Sequence, residues 1–176
     1  MGTPPAAARS ALLAAVAVAA CVGVAARAAG TAESARPAQQ LVDRMNAARV
    51  AHGKPRLAVS AQLSRAAAAH ARAMAGRGFF AHSDADGTPF WKRIGRYYRL
   101  SGYRSWRVGE NLFWSPGAAS PAQVVSSWLR SPPHRRDLLG TWKELGVAVL
   151  AARDAPGVFG GEDVTIVVAD FGSRSG

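Results

Sequence analysis

Apolar residues recur along this chain with two different periods, and the change between them sets the expected layout. From Ala38 to His52, Leu41, Met45 and Ala48 repeat at helical spacing, with Val42 widening the stripe, and Gly53 followed by Pro55 ends the helix. Leu57 and Val59 open a second apolar entry. Ser60 is placed to cap a helix whose buried stripe is Leu63, Ala66, Ala67, Ala71 and Met74, and Gly76 and Gly78 stop it. Asp86-Gly87-Thr88-Pro89 signals a turn, and Pro89 to Arg99 reads as a third helix with Phe90, Ile94 and Tyr97 at helical spacing. Trp106 to Phe113 is short and apolar enough to be a strand. Ser120 caps a helix that starts at Pro121 and carries Val124, Val125, Trp128 and Leu129 inward, and Pro132-Pro133 restarts a short one. Trp142 to Leu150 leads into a strand, Ala155 to Asp163 is a Gly-rich hairpin loop, and Val164 to Gly172 is a strand apolar enough to be buried on both faces. Strands clustered late, with helices before and between them, predict an α+β layered domain rather than a doubly wound parallel sheet.

Ahead of these elements the pattern is different. Arg9 precedes an apolar run from Ala11 to Ala20, and Ala26-Arg27-Ala28 offers small residues for cleavage, so residues 1–28 read as a signal peptide. Val18-Ala19-Ala20-Cys21 also resembles a bacterial lipobox, which would give a lipid anchor at Cys21, although the residues after it stay more apolar than a lipoprotein tether. Residues 29–37 then form a polar linker to one domain over 38–173. Cys21 is the only cysteine, so that domain has neither a disulfide nor a thiol nucleophile. Its stability must come from its core, for which 176 residues, 49% of them hydrophobic, are sufficient.

The formal charge of +11 falls by two, to +9, when Arg9 and Arg27 leave with the leader. Inside a cell such a balance suggests nucleic acid; behind an export leader, membrane lipids and wall polymers are the commoner anionic partners. Between Trp91 and Arg107, Lys92, Arg93, Arg96, Arg99, Arg104 and Arg107 alternate with Trp91, Tyr97, Tyr98, Tyr103 and Trp106. Such interleaving can stack bases. The helical spacing of Phe90, Ile94 and Tyr97 favours aromatic residues turned inward beneath a solvated basic face.

Candidate chemistry centres on Gly109-Glu110-Asn111-Leu112. In a strand Val108, Glu110 and Leu112 share one face, which sets Glu110 between apolar neighbours on a face that turns inward. A buried carboxylate needs a cation, a metal or hydrogen-bond donors beside it. His82 stands just past a helix end behind Phe79 and Phe80, and His134 lies in a helical first turn fixed by two prolines. His70, beside an alanine stripe, reads as structural. Ala169-Asp170-Phe171-Gly172 looks like the metal-binding tripeptide of kinases, but the chain has no Gly-rich phosphate loop, so Asp170 reads as a strand-end residue.

Phe79-Phe80-Ala81-His82-Ser83, Gly109-Glu110-Asn111-Leu112, Trp128-Leu129-Arg130-Ser131-Pro132-Pro133-His134-Arg135 and Glu144-Leu145-Gly146-Val147 follow one another in the order and spacing of the CAP superfamily. The chain resembles its bacterial SCP-like secreted branch from about Ala38 to Gly172. The resemblance implies a three-layer α-β-α sandwich with a central, mainly antiparallel sheet. It also implies a cleft holding His82, His134 and Glu110, and in some relatives zinc or another divalent cation. A second family glutamate falls where this chain has Ser131; Glu144 is the nearby carboxylate that could stand in for it. Two imidazoles and a carboxylate with an open position suit Zn²⁺, with His82 and His134 as its ligands. The leading expectation is a secreted or envelope-associated binding module for a small-molecule, lipid, peptide or wall-polymer ligand. The alternative is a metal-assisted or His/Glu hydrolase of extracellular peptides or wall components with Glu110 as base.

Overall fold

The computed structural model describes residues 22–176, with side chains from Arg36. The lipobox reading at Cys21 and most of the expected leader lie outside the described residues. The chain divides into Met1–Ala32, whose described residues are helical, and Glu33–Gly176, which holds the sheet. The first helix, α1, is Val22–Ala51 and contains Pro37. It therefore runs through residues where a polar linker is expected. Among the described residues no helix is long and apolar enough to cross a membrane.

Strand β1 (Ala58–Val59) is followed by α2 (Ala61–Arg77), α3 (Phe90–Gly95), β2 (Ser105–Pro116), α4 (Pro121–Arg130), α5 (Pro132–Leu138), β3 (Glu144–Ala155) and β4 (Glu162–Ser175). The ends of α2 are where the sequence places them. Ser60 Oγ accepts from the Leu63 N–H, and Gly78 closes the helix in the left-handed conformation. Ser120 caps α4 in the same way. Helix α3 is shorter than expected, giving way at Gly95 to a turn, consistent with the poor helix propensity of Gly and the aromatic residues behind it.

The sheet order is β1-β3-β4-β2; β1 is parallel to β3 and the other pairs are antiparallel. Strand β4 is central and buried from Val164 to Gly172, and β2 is an edge. The register sets Glu110 opposite Asp170, which in turn lies opposite Gly146, so Val108, Glu110, Leu112, Val168, Asp170 and Ala148 share one face. That face packs against α2 and α3 through Leu63, Ala67, Met74, Ile94 and Tyr98. The other face, carrying Val147, Val167, Ala169 and Phe171, packs against Leu41 and Met45 of α1, Val125 and Trp128 of α4 and Leu138 of α5. This is the three-layer α-β-α sandwich with a mainly antiparallel sheet.

Two buried polar residues tie the helices to their loops. Asn46 exchanges hydrogen bonds with the Leu57 backbone at 3.1 and 2.8 Å, and Arg49 donates to the carbonyls of Pro55, Leu138 and Gly140. Arg49 thereby fixes the end of α5, the helix that carries His134.

Candidate functional site

The site forms where the edge strand β2 exposes both of its faces. Glu110 points to the α2/α3 side and Asn111 to the α4/α5 side, so consecutive residues of one strand reach into opposite layers. Glu110 Oε1 lies 2.8 Å from Nδ1 of His82. Asn111 Nδ2 donates to the His134 backbone carbonyl at 2.9 Å. The strand thus brackets the two histidines from opposite layers.

Glu110 is buried, 3% exposed, and its second oxygen accepts from Arg93 Nη2. Burial pushes its carboxyl pKa up, but the His82 hydrogen bond, the Arg93 charge and the His70 charge outweigh burial and leave it below its ordinary value. Arg93 is itself buried and also approaches Asp84 at 3.2 Å. It is an internal counter-ion, not part of the solvated basic face on which the sequence places it. The aromatic spacing that turns Ile94 inward carries Arg93, its neighbour on the helix, into the same interior.

His82 is reached from above by a well-anchored loop. Phe79 packs edge-on to His70, Phe80 edge-on to Trp114, and the His82 ring sits 6.2 Å from that of Phe90. His70, fully buried, lies 2.8 Å from the Ala81 carbonyl through Nε2 and 3.3 Å from Asp84 through Nδ1. Burial, followed by the Arg93 charge, lowers its pKa, and Nε2–H donates to the Ala81 carbonyl, propping the loop. The His82 pKa moves the other way. Its hydrogen bond to Glu110 raises it against the opposing effect of burial, and half of the side chain faces solvent.

His134 has a lowered pKa, caused first by burial and then by the charge of His82, which sets the two imidazoles in one field. The Asp137 charge favours the protonated form of both. Ser131 Oγ lies 2.7 Å from His134 Nδ1, so the residue at the place of the second family glutamate holds a histidine instead. Glu144 has different partners. It accepts from the Tyr98 hydroxyl, and Arg174 Nη2 approaches it at 3.4 Å. Glu110 thus meets His82 and Ser131 meets His134, whereas Glu144 is engaged by Tyr98 and Arg174.

Sequence reasoning missed Asp170. It is not at a strand end: β4 continues to Ser175, and Asp170 is fully buried opposite Glu110. Burial, then the Glu110 charge, raises its pKa well above the carboxylate range. Neither of its oxygens meets an N–H or O–H donor, so a bond to Glu110 requires a proton on Asp170. The sequence signal was present, since an acid inside Val164 to Gly172 cannot avoid burial if that strand is central.

The match to a family model decides the wider relationship: residues 42–171 fit the cysteine-rich secretory protein family, CAP. The chain belongs to the CAP family. A comparison with curated protein sequences returns no match. Among solved structures, the CAP chain is similar to an extracellular protein of Bacillus anthracis that contains an SCP domain, with 24% identity and a TM-score of 0.60 over 78% of this chain and 40% of that one. It is also similar to an outer surface protein of Borrelia burgdorferi, with 23% identity and a TM-score of 0.58 over 77% of this chain and 90% of that one. A cysteine-rich secretory protein of Staphylococcus aureus aligns at 17% identity and a TM-score of 0.53, over 78% of this chain and 39% of that one. This chain therefore spans less than half the length of the Bacillus and Staphylococcus proteins, and at these identities the likeness shows the shared fold.

The residues fit only part of the metal set that the family implies. Both Glu110 oxygens are taken, by His82 and Arg93, so Glu110 orients a histidine rather than ligating. With Nδ1 of His82 facing Glu110 and Nδ1 of His134 facing Ser131, each ring keeps Nε2 for a ligand. Among the described residues no group of three His, Cys, Asp or Glu side chains is arranged to hold a metal ion. These contacts leave two imidazole nitrogens, Nε2 of His82 and Nε2 of His134.

Proposed function

We propose that this CAP chain is a secreted or envelope-associated binding module whose ligand cleft lies between His82 and His134. The observation that carries the reading is the state of Glu110. A general base needs access to the substrate and a pKa near the working pH; Glu110 is buried, held by Arg93 and His82, and has its pKa lowered. Its role is to fix the His82 ring, which favours recognition over turnover. The likeness to an extracellular protein and an outer surface protein, together with the apolar leader, supports the location.

A divalent cation such as Zn²⁺ would be held by Nε2 of His82 and of His134, with its remaining positions left to solvent or to the ligand. Bound there, it would supply a positive coordination site to an anionic ligand group. The proton is its competitor, because Glu110 favours the imidazolium of His82. A groove of about 670 Å³ between α1 and α4 offers a second surface, with Ala47, Ala48, Val125 and Leu129 on its walls and Arg44 and Arg130 beside them. A lipid, a peptide or a wall-polymer segment could lie along it.

Zinc titration by calorimetry on the chain, beside His82→Ala and His134→Ala, tests the cleft. The expected result is binding that strengthens from pH 6 to pH 8 and is lost in either variant. Binding that both variants leave unchanged would remove the cation from the proposal, and chelator-sensitive hydrolysis lost in Glu110→Gln would replace recognition with catalysis.

A further inference from the structure

Three of the large apolar side chains that remain exposed, Trp91 (46%), Leu100 (42%) and Tyr103 (41%), come from one short stretch around α3 and the turn behind it. The stretch from Phe90 to Arg107 contains six basic residues and no acid. Only Arg93 among the six is drawn inside; Lys92, Arg96, Arg99, Arg104 and Arg107 are exposed. Local geometry gathers the rest. The Tyr103 N–H donates to the Leu100 carbonyl at 2.8 Å, and Gly102, at φ +83°, supplies the left-handed position that such a tight turn requires. The turn therefore sets Leu100 and Tyr103 at its two ends, each next to an arginine in sequence, Arg99 and Arg104. On α3, Lys92 lies 5.3 Å over the Trp91 ring and Arg96 follows one helical turn later. Arg174 stacks against Tyr103 at 4.5 Å and Tyr98 at 3.9 Å, which holds the base of the turn in place.

We propose that the tip formed by Arg99, Leu100, Tyr103 and Arg104, together with the exposed Trp91 of α3, docks on an anionic phospholipid surface. Charge alone would suit any polyanion. The apolar members narrow the class of partner: a tryptophan or tyrosine can stack on a polymer's rings, but an exposed leucine beside them gains only where there is an apolar phase to enter. At a bilayer they enter the headgroup–acyl boundary while the flanking arginines meet lipid phosphates. Each basic group near an anionic leaflet adds roughly 1 kcal/mol, about fivefold in binding, and the gain fades with salt. The inference does not depend on what the two histidines bind.

The test is co-sedimentation of the full chain with vesicles of phosphatidylcholine alone and of phosphatidylcholine with a third phosphatidylglycerol. The reading is the ratio of the two affinities, so that any insertion by the apolar leader, common to both, cancels. The wild type is expected to prefer the anionic vesicles by at least about tenfold at low salt. Arg99→Glu/Arg104→Glu should remove most of that preference, and Leu100→Ser/Tyr103→Ser should weaken binding to both vesicles, whereas reversal of the exposed Arg77 and Arg153 should keep both the preference and the affinities. Equal loss in the Arg77/Arg153 variant would reduce the effect to net charge and overturn the proposal. Loss of the preference in the arginine variant with wild-type affinity for both vesicles in the Leu100/Tyr103 variant would also overturn it, in favour of a polyanionic polymer. Circular dichroism of each variant confirms that a loss of binding is not a loss of fold.

Discussion

At the scale of single residues, the bond between His82 and Glu110 predicts more than either side chain does alone. Because the folded-state pKa of His82 is raised, its contribution to stability is complete below the ordinary histidine value, near 6.5, and disappears as pH rises through the raised value. For Glu110 the shift is downward, so its contribution is present above the ordinary carboxyl value and is lost as pH falls through the lowered one. Glu110→Gln removes the counter-ion of a buried arginine as well as the partner of His82. We expect about 3 kcal/mol of destabilisation in urea unfolding. In an NMR titration the His82 pKa should fall back toward that of a free histidine. An unchanged His82 pKa in that variant would mean that its bond to Glu110 does not set its charge. The sequence foretells that Glu110 would need a charged or donating neighbour; that the neighbour is Arg93 was not legible. Helical periodicity assigns faces only to within the width of a side chain, and a long arginine can belong to either.

At the scale of elements, caps and prolines were the most legible features, because each acts locally: Ser60, Gly78, Ser120 and Pro121 stand at the observed helix ends. Close approach between elements was not legible. Gly146 of β3 shows why. A Cβ there would come within 2.1 Å of the Ser64 backbone N and 2.2 Å of the Leu63 carbonyl carbon. Helix backbone cannot swing aside as a side chain can, so α2 rests on β3 only because residue 146 has no side chain. Gly146→Ala should therefore separate the layers and cost several kcal/mol, at least the ~1–3 typical of overpacking. Gly76, inside α2, meets nothing within 4 Å at its Cβ position. Gly76→Ala should stabilise by about 0.5–1 kcal/mol through helix propensity. Thermal unfolding of the two alanine variants, moving in opposite directions from the wild type, checks both claims at once. A Gly146→Ala protein as stable as the wild type would show that the contact between α2 and β3 is not close.

Across the whole molecule, the sandwich sets an edge strand between two helical layers, and this places three ionisable groups where water does not reach. Glu110, Arg93 and Asp170 are all buried, and a lone cation cannot neutralise two carboxylates. The molecule resolves the imbalance by keeping the proton on Asp170, the acid with no donor of its own, and the charge on Glu110, which has two. This arrangement has a thermodynamic consequence. In the unfolded chain Asp170 loses its proton near the ordinary carboxyl pKa, about 4, whereas in the fold it keeps it to much higher pH. Between those limits the native state binds one proton more, so this residue makes stability fall by ~1.4 kcal/mol per pH unit as pH rises. Asp170→Asn keeps the shape, keeps a donor toward Glu110 and cannot ionise. The variant's stability, measured by urea unfolding, should therefore gain on the wild type at each step from pH 5 upward, while the contributions of Glu110 and His82 cancel between the two proteins. Parallel pH–stability curves would mean that Asp170 titrates alike in both states and that the proton resides elsewhere in the cluster.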